Sequence, residues 1–326
     1  MPRLLVLLTG GTLMMTAELR TAGGPSGADL VREIPSLPRV ADVETKVLFS
    51  MDSANVQPGD WITLAREVHG ALPRYDGIVV VHGTDTMAYT ASALALLLGP
   101  VPKPVVLTGS QKPLVDARTD ARQNLVAASL VATLRVPEVA IVFGDQALRG
   151  VRATKKDAWG FDAFASPHVA PLVDLGLDVE VASHVLPPGE LAAFDDRLEP
   201  RVLAVRVFPG LDPTLVRAAV RSGVRGLVLE GYGTGNVPLA LLPALEDAQA
   251  KGVPVVVVSQ CLRGFVDLSR YEGGAMAAAT GAISAKDMTV EAAVAKLMIG
   301  IARHGTGDAL RRWFATSIVG ERDADA

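Results

Sequence analysis

Ile78-Val79-Val80-Val81-His82-Gly83-Thr84-Asp85-Thr86-Met87 is the stretch on which the fold turns. Four apolar residues end in a polar turn containing glycine, which reads as a buried parallel strand entering a loop. A second stretch has the same form: Leu4-Leu5-Val6-Leu7-Leu8 runs into Thr9-Gly10-Gly11-Thr12. In open α/β sheets the ligand crevice lies at the carboxyl ends of such strands. The two hydroxyl-rich turns are therefore expected to meet over one site. Threonine acts as a nucleophile only when a neighbouring base or a lowered pKa activates it. A second threonine beside an aspartate, with a lysine brought in from elsewhere, could supply that base.

Working outward, strand-like and helix-like runs alternate. Leu4–Thr9, Lys46–Ser50, Gly77–His82, Pro104–Thr108 and Glu138–Phe143 read as strands, and Asp60–Leu72, Met87–Leu98 and Thr119–Ala132 as helices. Asp60 is a plausible N-cap, and Pro73 stops its helix. Gln146–Ser166 is less regular and suits short strands or loops. The alternation predicts an α/β fold: a large N-terminal domain with a mostly parallel, flavodoxin-like sheet, and a smaller C-terminal α/β domain. Prolines, glycine and acids between Leu186 and Pro200 mark a linker, so the domains are expected at 1–188 and 201–326, joined by 189–200. In the second domain, Val202–Val207, Gly226–Glu230 and Pro254–Gln260 read as strands, with helices at Pro213–Ser222, Pro238–Lys251 and Thr289–His304.

Bulk composition narrows the function classes. With 326 residues, 49% hydrophobic and 20% charged, the chain can bury a sizeable core. A formal net charge of -4 without a long basic block argues against a nucleic-acid partner. The single cysteine, Cys261, cannot form an internal disulfide and fits a reducing compartment. The apolar run after Met1-Pro2-Arg3 is too short for a signal peptide, and no stretch approaches the roughly 20 apolar residues of a membrane span. A cytoplasmic protein with no membrane partner is the expectation.

Each polar motif also has a plain explanation. The glycines of Thr9–Thr12 permit an unusual turn or let the backbone approach a ligand. The Gly11 N–H could then donate to a developing oxyanion, although an ordinary turn needs the same glycines. Thr84 and Asp85 fall at the mouth of a helix, where capping explains one polar residue well and four in a row poorly. Lys155, in Arg152-Ala153-Thr154-Lys155-Lys156-Asp157, is by itself a solvated surface lysine. It becomes a base only with its pKa lowered by burial or nearby positive charge. Asp52 and Ser53, in Met51-Asp52-Ser53-Ala54-Asn55, suit a substrate carboxylate or a turn that binds nothing. Gly231-Tyr232-Gly233-Thr234-Gly235-Asn236 lacks the full dinucleotide fingerprint. There is no phosphate loop, zinc-protease motif or serine elbow, and the five histidines have no ligand spacing, so no metal is expected.

Together these residues resemble the bacterial-type L-asparaginases, a family that includes asparaginase–glutaminases, and most closely its cytoplasmic type. Thr9–Thr12 looks like the first family signature and His82–Met87 like the second. Val106-Leu107-Thr108-Gly109-Ser110-Gln111-Lys112-Pro113 is similar to the third sheet-end loop, and Arg152–Lys155 to the segment with the catalytic lysine. Gly235-Asn236 and Ser259-Gln260-Cys261 look like the family's smaller domain.

The resemblance implies hydrolysis of L-asparagine to L-aspartate and ammonia through a threonine acyl-enzyme, without metal or cofactor, with a side activity on L-glutamine left open. Thr12 would attack, and Thr84, Asp85 and Lys155 would form the relay. Gly11, Asp52, Ser53, Ser110 and Asn236 would bind substrate. The partners it implies are L-asparagine and further copies of the chain, as a homodimer or a dimer of dimers, with Asn236 at the subunit boundary. A regulatory asparagine site near Cys261 is left open. An amidotransferase subunit shares these motifs but carries an extra domain ahead of the first; with the first motif at Thr9, that subunit is not the expectation.

Two departures stand out. The family's lid carries a tyrosine after the first motif, whereas Leu13–Gly27 contains none and the nearest downstream is Tyr75. Glycines at Gly23, Gly24 and Gly27 predict a mobile lid. Ala54 stands where many secreted members have glutamine. The missing tyrosine is what supports the competing expectation of a catalytically weakened homologue that binds or senses asparagine.

Overall fold

The computed structural model describes residues 1–14 and 33–323, so the expected lid lies almost wholly outside the described residues. The chain divides into two compact units, Met1–Asp196 and Arg197–Ala326. Continuous apolar runs build the centre of the first. β1 (Arg3–Gly10), β3 (Gly77–Val81), β4 (Val105–Thr108) and β5 (Val139–Phe143) are buried along nearly their whole length. Strands of that kind form where helices cover both faces of a parallel sheet. β2 (Asp42–Met51) alternates half-buried and exposed residues, as an outer strand does.

The sheet is completed by β6 (Gln146–Arg149), β9 (Val173–Leu175) and β10 (Val179–Val181); its order is β10-β9-β6-β5-β4-β3-β1-β2. β2, β1, β3, β4 and β5 are mutually parallel. β6, β9 and β10 are added antiparallel. The parallel order 2-1-3-4-5 is flavodoxin-like, and its strand order reverses between β1 and β3. Leu8 pairs with Val81, the last residue of β3, and β1 runs on to Gly10. The irregular segment yields β6 and a separate small hairpin, β7 (Thr154–Lys155) with β8 (Phe164–Ala165).

Among the described residues the helices of this unit are the short α1 (Leu37–Val40), α2 (Pro58–Ala71), α3 (Met87–Leu98) and α4 (Ala121–Val131). α2 corrects the expected cap. Gln57 is the N-cap, Pro58 opens the helix, and Asp60 sits at the third helical position. The Asp60 carboxylate reaches back 2.8 Å to the Gln57 N–H, closing a capping box. α3 is buried almost all round, as expected of a helix in a core. Glu138 and Arg149, both buried, form a bidentate pair, and Glu138 also accepts from Leu186 N at 2.7 Å. Residues after the sheet stay with this unit: Arg66 pairs with Asp196, and His69 stacks on Phe194.

The second unit carries β11 (Val202–Arg206), β12 (Gly226–Gly231), β13 (Val255–Ser259) and β14 (Ile283–Ser284), all parallel and in that order. Its helices are α5 (Pro213–Arg221), α6 (Leu242–Ala250), α7 (Glu272–Ala279), α8 (Val290–His304) and α9 (Asp308–Ala315). The helix expected from Pro238 begins instead at Leu242, after a 3-10 turn over Leu239–Leu241. Pro243 accounts for the break, because it lacks an N–H and suits only the first turn of an α-helix. Lys296 and Glu321 form an ion pair at 2.5 Å with both side chains wholly buried. Among the described residues no helix is long and apolar enough to cross a membrane.

Candidate active site

The loops that leave β1, β2, β3 and β4 converge at the carboxyl ends of the strands. Gly10 and Gly11 have φ of 107° and 84°, a region that disfavours side chains. A Cβ on Gly11 would lie 2.5 Å from Gly83 Cα, and one on Gly83 would lie 2.5 Å from Ser53 Oγ. The Gly11 and Gly83 backbones thus meet each other, and Gly83 meets the Ser53 side chain, at a closeness that only glycine permits. The Gly11 N–H is already given to Met51 O at 3.2 Å, so it ties two loops together instead of standing ready as the donor read from the sequence.

Around this junction lies a cavity of about 160 Å³, lined by Gly11, Thr12, Asp52, Ser53, Gly83, Thr84, Asp85, Gln111, Lys155 and Ala158. It is well below the roughly 300–1,000 Å³ of drug-sized pockets, and suits a ligand of amino-acid size. A larger cavity of about 690 Å³ is lined by Asp76, Pro104 and Pro137, which precede β3, β4 and β5. That is the opposite end of the strands from the switch-point crevice.

Lys155 decides between surface lysine and site residue. The β7–β8 hairpin carries it to 2.9 Å from Thr84 Oγ1 and 2.5 Å from Asp85 Oδ1, and its side chain is 18% exposed. Lys156, next in sequence, pairs with Asp162 on the surface. Thr84 and Asp85 therefore turn to the lysine, whereas the N-cap of α3 is Thr86, whose hydroxyl donates to Ser53 O at 2.8 Å. Asp52 caps the 3-10 turn Ser53–Asn55 through Ala54 N at 2.9 Å, which leaves Ser53 buried at the cavity wall.

Seven of the sequence-derived site residues line this one cavity: Gly11, Thr12, Asp52, Ser53, Thr84, Asp85 and Lys155. Ser110 does not; it is buried and donates to Lys112 O at 2.6 Å, which shapes its loop. Asn236 belongs to the second unit, and every described lining residue belongs to the first. Asn236 Oδ1 is buried with no hydrogen-bond partner among the described residues. Gln111 was not singled out from the sequence. It accepts from Thr84 Oγ1 at 3.2 Å and donates to Gly160 O at 3.0 Å. Its place in the third sheet-end loop was visible, but periodicity does not say which of two adjacent polar residues turns inward. Tyr75 is remote from the cavity: it precedes β3 and its hydroxyl donates to Glu44 at 2.6 Å. Among the described residues no cluster of three or more His, Cys, Asp or Glu could hold a metal ion.

Residues 3–186 match the family described as Asparaginase, N-terminal, and residues 201–314 match the Glutaminase/Asparaginase C-terminal domain. This chain belongs to the asparaginase family. It is similar to the L-asparaginase of Thermococcus kodakarensis, 38% identical over 98% of each chain, and to L-asparaginase 1 of Escherichia coli K12, 36% identical over 98% of each. The solved thermostable L-asparaginase from Thermococcus kodakarensis superposes with a TM-score of 0.91, covering 98% of both chains at 37% identity. The asparaginase matches thus cover both compact units, and the first includes every residue of the polar cavity.

Proposed function

We propose that this asparaginase-family chain hydrolyses the side-chain amide of L-asparagine, giving L-aspartate and ammonia. The observation that carries the reading is the Lys155–Thr84–Asp85 cluster, assembled from separate elements on one wall of a small polar cavity that Thr12 also lines. A surface lysine needs no such partners, and a plain turn needs no such cavity.

The Thr12 hydroxyl oxygen attacks the amide carbon, and its proton passes to the cavity's base. The carbon–nitrogen bond then breaks, the leaving nitrogen takes a proton, and ammonia departs from an aspartyl ester on Thr12. Water, deprotonated by the Thr84–Lys155–Asp85 relay, attacks that ester and frees Thr12. The Asp85 carboxylate pairs with the substrate's α-ammonium, and Ser53 and Asp52 hold its polar end. Gln111, which takes the Thr84 proton in a hydrogen bond, orients that hydroxyl. Ser110 contributes through the loop it shapes. Asn236 would complete the site from another copy in a homodimer or dimer of dimers. The single cysteine supports a cytoplasmic setting.

The test is ammonia release by purified protein from L-asparagine and from L-glutamine. Release from asparagine supports the reading, and the ratio of the two amides gives the side activity. A second reading, a binding or sensing homologue, draws on the absence of tyrosine from Leu13–Gly27. No release from either amide, with asparagine raising the melting temperature, would favour it.

A further inference from the structure

His82, inside the second motif, has no role in the reaction as written, yet both of its ring nitrogens are engaged. It is buried at the end of β3, one residue before Gly83. Its Nδ1 lies 2.7 Å from Gly83 O, and its Nε2 lies 3.1 Å from Thr90 Oγ1 on α3. Thr90 Oγ1 in turn accepts from Trp61 Nε1 on α2 at 3.1 Å. The protons along this chain have one consistent assignment. An indole N–H only donates and a carbonyl only accepts, so Trp61 donates to Thr90, Thr90 donates to Nε2, and Nδ1–H donates to Gly83 O. All three side chains are buried and all four contacting groups are satisfied.

We propose that Trp61, Thr90 and His82 form a positioning relay that fixes the Gly83 carbonyl and, through it, the reach of Thr84 toward Lys155. A trans peptide is planar, so holding the Gly83 carbonyl also fixes the Thr84 N–H and the base of the Thr84 side chain. Gly83 has no side chain to hold it, being pressed against Gly11 and Ser53. The His82 main chain is anchored separately, its N–H on Thr108 O at 2.8 Å. The ring therefore orients the next peptide, while the strand holds the residue itself. Burial pushes the His82 pKa down to about 4, so at neutral pH the ring has one N–H and one acceptor, as the chain requires. His82 is thus a positioning residue that touches no reacting atom.

The inference rests on the asparaginase reading for its kinetic test, and the test separates the two. His82→Asn puts an amide N–H where Nδ1 stood, whereas His82→Gln places its amide farther out, opposite Thr90. Both lose the ring, so both lose similar thermal stability. The expected result is a split: kcat on asparagine within about threefold of wild type for Asn, and lower by about tenfold or more for Gln, with KM little changed in either. Equal kcat in the two variants overturns the relay. Should neither fold, Thr90→Ser and Thr90→Val carry the same test: serine retains turnover and valine loses about tenfold, while equal turnover overturns it. Wild-type ammonia release judges the proposed function by itself. Crystal structures judge the tether whatever the substrate: the Lys155–Thr84 contact at 2.9 Å should persist in His82→Asn, or in Thr90→Ser, and open in the paired variant. A contact unchanged in both members of a pair overturns the inference.

Discussion

The two units use one architecture, a parallel sheet flanked by helices, in opposite ways. In the first, strand order reverses between β1 and β3, so successive loops leave the sheet in different directions and open a crevice. In the second, β11 to β14 lie side by side in sequence order, with no reversal. The polar groups at the two sets of strand ends differ accordingly. Around β1 and β3 they face a cavity and one another across it. Around β12 and β13 many are consumed locally: Ser259 Oγ donates to Gly233 O, and Gln260 Nε2 to Val207 O and Glu230 O. The switch point of the first sheet thus gathers its polar side chains around one cavity, whereas at the second sheet's strand ends some polar groups hold their own loops and Tyr232 Oη, Thr234 Oγ1 and Asn236 Oδ1 are buried without a partner among the described residues.

The sharpest break of this contrast would come from Thr12 and Lys155. Thr12→Ala and Lys155→Met should each lower turnover by about three orders of magnitude or more, with the melting temperature nearly unchanged. Ammonia release and a thermal melt on the same samples read both. A large stability loss in Lys155→Met would mark a structural lysine.

Next in size is the buried pair of the second unit. Lys296→Met leaves Glu321 buried without its counter-charge, held only by the Ile318 and Val319 N–H groups, and should cost about 3–5 kcal/mol of stability by urea titration. The folded fraction should keep its KM for asparagine. A changed KM at full folding would tie this pair to the site.

A third prediction uses His82. Its pKa is lowered from the ordinary 6.5 to about 4, so the unfolded chain takes up a proton before the folded one does. Stability contributed by this group is present above about pH 6.5 and is lost as pH falls toward 4, by about 3 kcal/mol over the window. Comparing unfolding free energy against pH in wild type and His82→Asn should show a flatter slope in the variant. Parallel slopes would mean that the ring titrates normally.

The smallest effect is expected at Lys156. Its pair with Asp162 is largely solvent-facing, so Lys156→Ala should leave turnover within about twofold of wild type. Adjacent lysines would then differ by orders of magnitude in consequence.

That difference marks the limit of what the sequence conveys. β1, β3, β4 and β5 were legible because burial on both faces leaves unbroken apolar runs. β2 was read only over its second half, since Asp42–Thr45 alternate with charge along an outer strand. α7 went unseen because Gly273 and Gly274 weaken any helical signal; a Cβ on Gly273 would lie 2.1 Å from Val237 O, so packing requires the glycine there. In the site, motifs ending apolar strands pointed to Thr12, Thr84 and Asp85. Which polar residue of Ser110 and Gln111 faces the cavity is set by side-chain direction in irregular backbone, where no period applies, and Lys155 is turned inward by a β7–β8 hairpin too short to show a period in the sequence. The relay through Trp61 and Thr90 joins two helices to a strand end, and spacing along the chain does not disclose it.

The most direct test of the central claim is to quench the protein in acid during its first turnover of L-asparagine and map the aspartyl ester by peptide mass spectrometry. The account predicts the ester on Thr12, at the switch point of the first sheet. An ester on Thr84 or on any residue of the second unit would contradict it.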